Sequence, residues 1–430
     1  HLALFGTWVE VEDAGEKFFE SCGFAPIIHG IVDRDRLVTL HDCSCNELKP
    51  YHAGFHAYPP PWGFSSCTYS VKTALINAHL DKNATLQSVS AQFTHLERWV
   101  NHQERKERTK YDWKIREMTI NLTPNDPIDI AIDDKIKIQL KSWVSPAIGL
   151  DKKYGADEYD VFTIYCEEGM PLEKFRTFLH HIQNFLILAT RAYVKPIEIK
   201  GSLVNHEIYQ PTIQIFSSGL TDSYEEDKKF SGFLFSLRDI SSEFPMVLKE
   251  FVLRGIEYGL AYELYFAAAR KKLYVEQEFL SYIQAIEGLY SRMYGEKLYL
   301  NSSQFNQVKK TLYRSIPDDL PPSLKERLRT VISDANNYGL RSRIMDIIVK
   351  YPEDFNGRLW SNEQEQADFI KQVVIFRNYL SHGGTKKPKD YYERLSDYTK
   401  KIKILLEICL LEMMKLPTEK IIRFIKYRYL

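Results

Sequence analysis

Near the end of the chain, the stretch IFRNYLSHGG (Ile375–Gly384) interrupts an apolar run with Arg377 and Asn378, then with Ser381 and His382, before two glycines. Histidine titrates near neutrality, so His382 suits a general acid or base, and Arg377 sets a fixed positive charge beside it. Written as a helix over Asn362–His382, the segment puts Phe369, Val373, Phe376 and Leu380 on one stripe with Arg377 and Asn378 at its edge. Asn378 and His382 are four residues apart, so the amide is expected to reach the imidazole and hold its orientation. Arg377 and His382 are about 140° apart around the axis. They can flank one cleft only if a second surface faces them. Gly383 and Gly384 supply the helix stop.

A second segment, EQEFLSYIQAIEGLYSRMY (Glu276–Tyr294), carries Phe279, Ile283, Ile286, Tyr290 and Met293 as its apolar stripe. Glu287 falls at the margin of that stripe, where a carboxylate calls for a cationic partner.

A different chemistry is suggested by His41, Cys43, Cys45, His52 and His56. These are zinc-compatible atoms, but C-x-C on a strand places both thiols on one face, and structural zinc sites use C-x2–4-C. No metal is expected. PPPWGF (Pro59–Phe64) reads as a rigid structural turn, and His180 and His181 as one exposed and one half-buried residue on a helix.

The elements that must position these groups fall into two regions. The chain has 430 residues, 44% hydrophobic and 27% charged, with 27 tyrosines and 24 phenylalanines, enough for ordinary packed cores. The longest apolar stretches, such as NFLILA (Asn184–Ala189), are too short to cross a bilayer, and no signal peptide is visible. Cys22, Cys43, Cys45, Cys67, Cys166 and Cys409 lack the spacing of a disulfide framework and read as reduced thiols of a cytoplasmic protein. The net charge of zero hides an asymmetry. From Glu226 onward there are 34 basic and 27 acidic residues; of the 57 of each in the chain, 23 basic and 30 acidic precede it. Polyanions are therefore expected at the second half.

The first half alternates with period two, as in KIKIQLKSWV and YDVFTIYC, and is punctuated by turn signals. It predicts an antiparallel, sandwich-like β domain over residues 1–221, interrupted by one helix over Met170–Tyr193 with Pro171 in its first turn. Residues 222–243 read as a linker. The remainder, 244–430, has period 3.6 and predicts an all-α domain, with helices expected at Phe244–Arg270, Val275–Tyr294, Ser303–Arg314, Pro322–Asn336, Leu340–Lys350, Asn362–His382, Lys389–Lys415 and Thr418–Tyr429. The fold class expected is α+β with two domains.

The run Arg377-Asn378-Tyr379-Leu380-Ser381-His382-Gly383, set in an all-α C-terminal domain, resembles the signature of the HEPN superfamily: Arg, a polar residue, three variable positions and His. The Glu276–Tyr294 segment, FSGFLFSLRDISSEFPMVLKEFV before it and LVTLHDC in the β region are similar to the ApeA-type members. The resemblance implies a metal-independent ribonuclease without cofactor. Two helical domains pair as a homodimer or higher even oligomer, and two Arg–His motifs share a cleft. Arg377 would stabilise charge on phosphate oxygens, His382 would move the proton, Asn378 would orient the imidazole or touch phosphate, and Glu287 would hold Arg377 or His382. It further implies RNA, plausible as tRNA, as substrate in abortive infection against phage, with a phage trigger and the β domain as sensor or regulator. Under that reading Lys386, Lys387, Lys389, Arg423 and Lys426 are RNA-binding candidates. Competing readings remain. One takes the lysines as a solvated loop and the tail as a packed amphipathic helix; another takes the whole as a non-catalytic HEPN module that binds a nucleotide or partner; a third has the β domain bind a small molecule through Pro59–Phe64.

Overall fold

The computed structural model describes residues 24–32, 35–50, 65–100, 109–112, 117–120, 126–148, 154–203, 212–217, 232–271, 273–351, 359–383 and 387–428. The chain divides into two compact units. The first comprises His1–Leu186, Tyr193–Phe230 and Ser236–Pro245; the second comprises Ile187–Ala192, Ser231–Phe235 and Met246–Leu430.

The first unit is built on β strands, and the α+β class read from the sequence holds. Strands β1 (Phe24–Val32), β2 (Arg36–Pro50), β3 (Ser65–Ile76), β4 (Thr85–Phe93), β7 (Ile128–Ala131), β8 (Ile136–Ile148), β9 (Tyr154–Pro171), β10 (Pro196–Leu203) and β11 (Ile213–Ser217) join in one antiparallel sheet. Its order is β1-β2-β3-β11-β10-β4-β9-β8-β7, and β5 (Thr109–Asp112) pairs with β6 (Glu117–Ile120) as a separate ribbon. Where a sandwich-like module was expected, nine of the described strands form one continuous sheet, with β5 and β6 apart from it. The period-two reading explains the burial. On β4, Leu86, Val89, Ala91 and Phe93 point inward and the residues between them do not. After β4 comes the short helix α1 (Leu96–Val100), and after β9 the helix α2 (Leu172–Thr190). Trp99 of α1, Phe185 of α2 and Phe244 meet in an aromatic cluster, with Trp99 at 5.5 Å from each of the other rings. His180 is half-buried and His181 is 4% exposed, so both sit deeper than the sequence suggested. Helix α2 is apolar on more than one face, which hides its second histidine.

The second unit is helical: α3 (Phe244–Tyr258), α4 (Leu260–Arg270), α5 (Val275–Tyr294), α6 (Ser302–Arg314), α7 (Pro322–Asp334), α8 (Leu340–Val349), α9 (Glu363–His382), α10 (Tyr391–Met413) and α11 (Thr418–Arg428). The single helix expected over Phe244–Arg270 is two. Gly259 has φ +53°, which breaks the hydrogen-bond ladder between Tyr258 and Leu260. Helix α10 is the central element, buried along Ile402–Met413 apart from Lys403 and Glu412. Helices α5, α8, α9 and α11 all pack on it. At its middle, Glu407 is fully buried. It accepts from the Arg191 guanidinium at 2.8 Å and from the Tyr265 hydroxyl at 2.9 Å. Of the stretch expected as linker, residues 222–231 lie outside the described residues. Residues 232–243 are folded, with Phe233, Leu234, Phe235 and Ile240 fully buried and a 3-10 turn at Leu237–Ile240.

Among the described residues no helix is long and apolar enough to cross a membrane. Of the zinc-compatible set, Cys43 is buried in an apolar cluster with Val38, Leu40, Ala74 and Ile76. Burial pushes its thiol up to about 11. The His41 ring nitrogen Nε2 bonds the Leu80 carbonyl at 3.1 Å. His52, His56 and Pro59–Phe64 lie outside the described residues.

Candidate active site

Helix α9 carries Arg377, Asn378 and His382. Asn362 caps its start, accepting from the Glu365 amide, and the Glu365 carboxylate accepts in return from the Ser361 amide at 2.8 Å. Phe369, Ile370, Val373 and Phe376 form the buried face; Leu380, expected on the same stripe, is only half-buried because the helix is near its end. The helix stops at Gly383, which adopts the left-handed conformation (φ 60°) and donates its amide to the Tyr379 carbonyl. His382 is therefore the last helical residue, exposed on the rim of the unit.

Helix α5 brings Glu287 to the same place. Its carboxylate lies 3.8 Å from the Arg377 guanidinium, with the two side chains 29% and 36% exposed. The other guanidinium nitrogen donates to the Asn378 amide oxygen at 3.2 Å. The Asn378 amide thus engages Arg377 and not the imidazole, contrary to the spacing argument. An i,i+4 pair is within reach on a helix, but the neighbouring cation is the stronger donor. Arg377 is contacted from two sides and remains partly exposed. His382 stands one and a half turns further along, on a different azimuth.

Two features that local sequence reading missed fix Glu287. Arg343 of α8 donates to the Glu287 carbonyl at 2.6 Å and to the Tyr338 carbonyl at 2.9 Å, pinning α8 to α5 at that residue. The next residue, Gly288, lets α4 approach so closely that a Cβ there would lie 2.5 Å from the Ala261 Cβ. The short spacing I-E-G-L was a visible signal for such an approach; the arginine, 56 residues away, had none.

Of the basic candidates, Lys386 lies outside the described residues. Lys387 and Lys389 are exposed just beyond the motif. The Lys387 ammonium sits 4.5 Å from the Tyr391 ring centre and 4.2 Å from that of Tyr392. Arg423 and Lys426 are exposed on α11, a separate helix whose inner face of Ile421, Phe424 and Ile425 is buried; Phe424 stacks on Phe235 at 5.4 Å. The tail is thus a packed amphipathic helix with cations on its outer side. The structure gathers Glu287, Arg377 and Asn378 into one contact set, places His382 at the end of the same helix, and distributes the lysines and the tail arginine around other elements.

Chemically, this is a guanidinium steered by a carboxylate next to an exposed imidazole. Such a set can bind an oxyanion and move a proton beside it. Comparison with known families matches residues 5–251 to the ApeA N-terminal domain 1 and residues 280–420 to the Apea-like HEPN domain. The second match contains Glu287, Arg377, Asn378 and His382. No curated protein and no solved structure matches the chain.

Proposed function

The chain belongs to the ApeA family and carries an Apea-like HEPN domain, and on that footing we propose that it is a metal-independent endoribonuclease. HEPN domains are generally nucleases, commonly bind RNA and dimerise, and an ApeA-like HEPN domain fits a protein of defence. The observation that carries the reading is the Glu287–Arg377 contact at 3.8 Å beside an exposed His382 at the end of the same helix.

In this reading the ribose 2′-hydroxyl attacks the adjacent phosphorus and the bond from phosphorus to the 5′-oxygen breaks. One imidazole takes the hydroxyl proton and another gives a proton to the departing oxygen. The products are a 2′,3′-cyclic phosphate and a 5′-hydroxyl. Arg377 binds the non-bridging oxygens as their charge grows, and Glu287 limits the directions in which the guanidinium can point. A second chain completes the cleft. Arg377 and His382 diverge on one helix, and a two-fold axis sets the Arg377 of one chain near the His382 of its partner. The biological setting we propose is abortive infection, with host RNA such as tRNA as substrate and the β unit as regulator of a cytoplasmic enzyme.

The test is incubation of the full chain with total tRNA in EDTA. Wild-type protein is expected to cut. Arg377→Ala and His382→Ala are each expected to lose cutting by roughly 100-fold or more, the scale of a lost general acid or base or of a lost charge-stabilising donor. Cutting that requires added metal, or that survives in both variants, overturns the reading. The alternative of a non-catalytic nucleotide-binding HEPN module predicts RNA binding with intact strands.

A further inference from the structure

Next to the motif lies an aromatic cluster that the catalytic roles do not use. Tyr391, at the start of α10, is 8% exposed. Its ring stacks on Phe376 of the motif helix at 5.6 Å and 21°, and meets Tyr379 of the same helix edge-on at 5.7 Å. Its hydroxyl lies 3.4 Å from a Glu276 carboxylate oxygen on α5. Burial, reinforced by that carboxylate, pushes the phenol up to about 12, so it is a neutral donor. Tyr391 therefore locks the start of α10 against α9 at Phe376 and Tyr379, the latter three residues before His382.

The next residue faces the other way. Tyr392 is 64% exposed. Among the described residues its ring touches the edge of Tyr391 at 5.0 Å and the Lys387 ammonium at 4.2 Å. Lysine covers part of one side; the rest of the ring meets solvent. An aromatic face backed by a cation, on a helix whose first residue packs against the motif helix at Phe376 and Tyr379, is a combination that binds single-stranded nucleic acid.

We propose that Tyr392 is a stacking platform for an unpaired nucleobase beside the phosphate held at Arg377, with Lys387 on the neighbouring phosphate. This rests on the ribonuclease reading and sharpens it: the substrate is RNA whose bases are free at the cut, as in a loop or single strand. A paired base is already stacked on its neighbours in an A-form helix and cannot turn onto the ring.

The experiment uses the full chain carrying His382→Ala, which holds RNA without cutting it. A short fluorescein-labelled RNA is titrated by anisotropy, once as a single strand and once annealed to its complement. Adding Tyr392→Ala is expected to weaken single-strand binding by roughly tenfold, within the range for one lost base–aromatic stack. The duplex affinity should not change, and Tyr392→Phe should bind the single strand as Tyr392 does. Equal losses on both RNAs, no loss on the single strand, or a Phe variant as weak as the Ala variant overturns the platform. Cutting by the chain with His382 intact is scored in parallel. Undiminished, His382-dependent cutting with no Tyr392 effect sinks the platform alone. Tyr392-dependent, single-strand-selective binding without any cutting sinks the nuclease reading alone.

Discussion

At the scale of single residues, the Arg377 guanidinium is only as well placed as the carboxylate facing it, and Glu287 is placed by its backbone. Gly288 decides this. Alanine in a helix is worth about 1 kcal/mol over glycine, so Gly288→Ala would stabilise an isolated α5. In the folded unit the new Cβ would stand 2.5 Å from the Ala261 Cβ on α4, closer than carbon atoms approach. Overpacking of that kind costs about 1–3 kcal/mol, and it outweighs the propensity gain. The expected outcome is a lower thermal midpoint and weaker RNA cutting, because α5 must shift and carries Glu287 with it. Ala261→Gly in the same chain should recover both, and a double variant as impaired as Gly288→Ala would show that the contact is not the cause. Residue types and spacing exposed Arg377, His382 and Glu287, because each departs from the apolar stripe of its own helix. They could not expose Arg343, and Gly288 signalled a close approach without naming Ala261 as the neighbour, because α8 and α4 come to α5 only in three dimensions. Nor could they show that Asn378 turns to Arg377 and leaves the imidazole.

At the scale of elements, helix α9 was legible from end to end because its signals are local: Asn362 as cap, a stripe of Phe369, Val373 and Phe376, and glycine as the stop. The break at Gly259 was not, since a continuous 3.6-period pattern runs through it and only backbone dihedrals show the interruption. The sheet was legible strand by strand but not in its order. Strands β10 and β11, late in the chain, insert between β3 and β4, and alternation says nothing about which edges meet. The cap of α9 also makes its start acid-sensitive. The Ser361 amide bonds the Glu365 carboxylate at 2.8 Å, Lys401 lies 3.3 Å away, and these hold the carboxyl below its ordinary value despite some burial. A carboxyl depressed in the folded state stabilises it at pH above the ordinary carboxylate range, and that stabilisation disappears as pH falls through the lowered value. The thermal midpoint of the wild-type chain should therefore drop more between neutral pH and a pH below the ordinary carboxylate range than that of Glu365→Gln. Equal drops in the two would remove Glu365 from the acid response.

At the scale of the whole molecule, the helical unit does not begin where the helical pattern begins. It takes in Ile187–Ala192 and Ser231–Phe235, which precede the first of its long helices. One of these residues carries electrostatic weight. Glu407 has no exposure, and the Arg191 guanidinium that faces it at 2.8 Å is 9% exposed. Removing one partner of such a buried pair strands the other and costs about 3–5 kcal/mol, a large share of the ~5–15 kcal/mol by which a native domain is stable. Arg191→Ala in the full chain is therefore expected to lower the unfolding free energy of the helical unit, read from its urea transition, by that order. The same logic bears on where the chain may be divided. A fragment starting at Phe244 retains every helix from α3 to α11 and the whole HEPN match, yet it lacks Arg191 and the Phe235 ring that stacks on Phe424. Such a fragment should unfold at lower urea concentration than the corresponding unit of the intact chain, or show no cooperative transition. Because part of the loss comes from a carboxylate left without its guanidinium, Glu407→Gln should narrow the difference between fragment and intact chain. A fragment as stable as the intact unit, with or without that change, would mean that the buried pair adds nothing to the fold. The β-rich half could then be removed from the nuclease test without consequence.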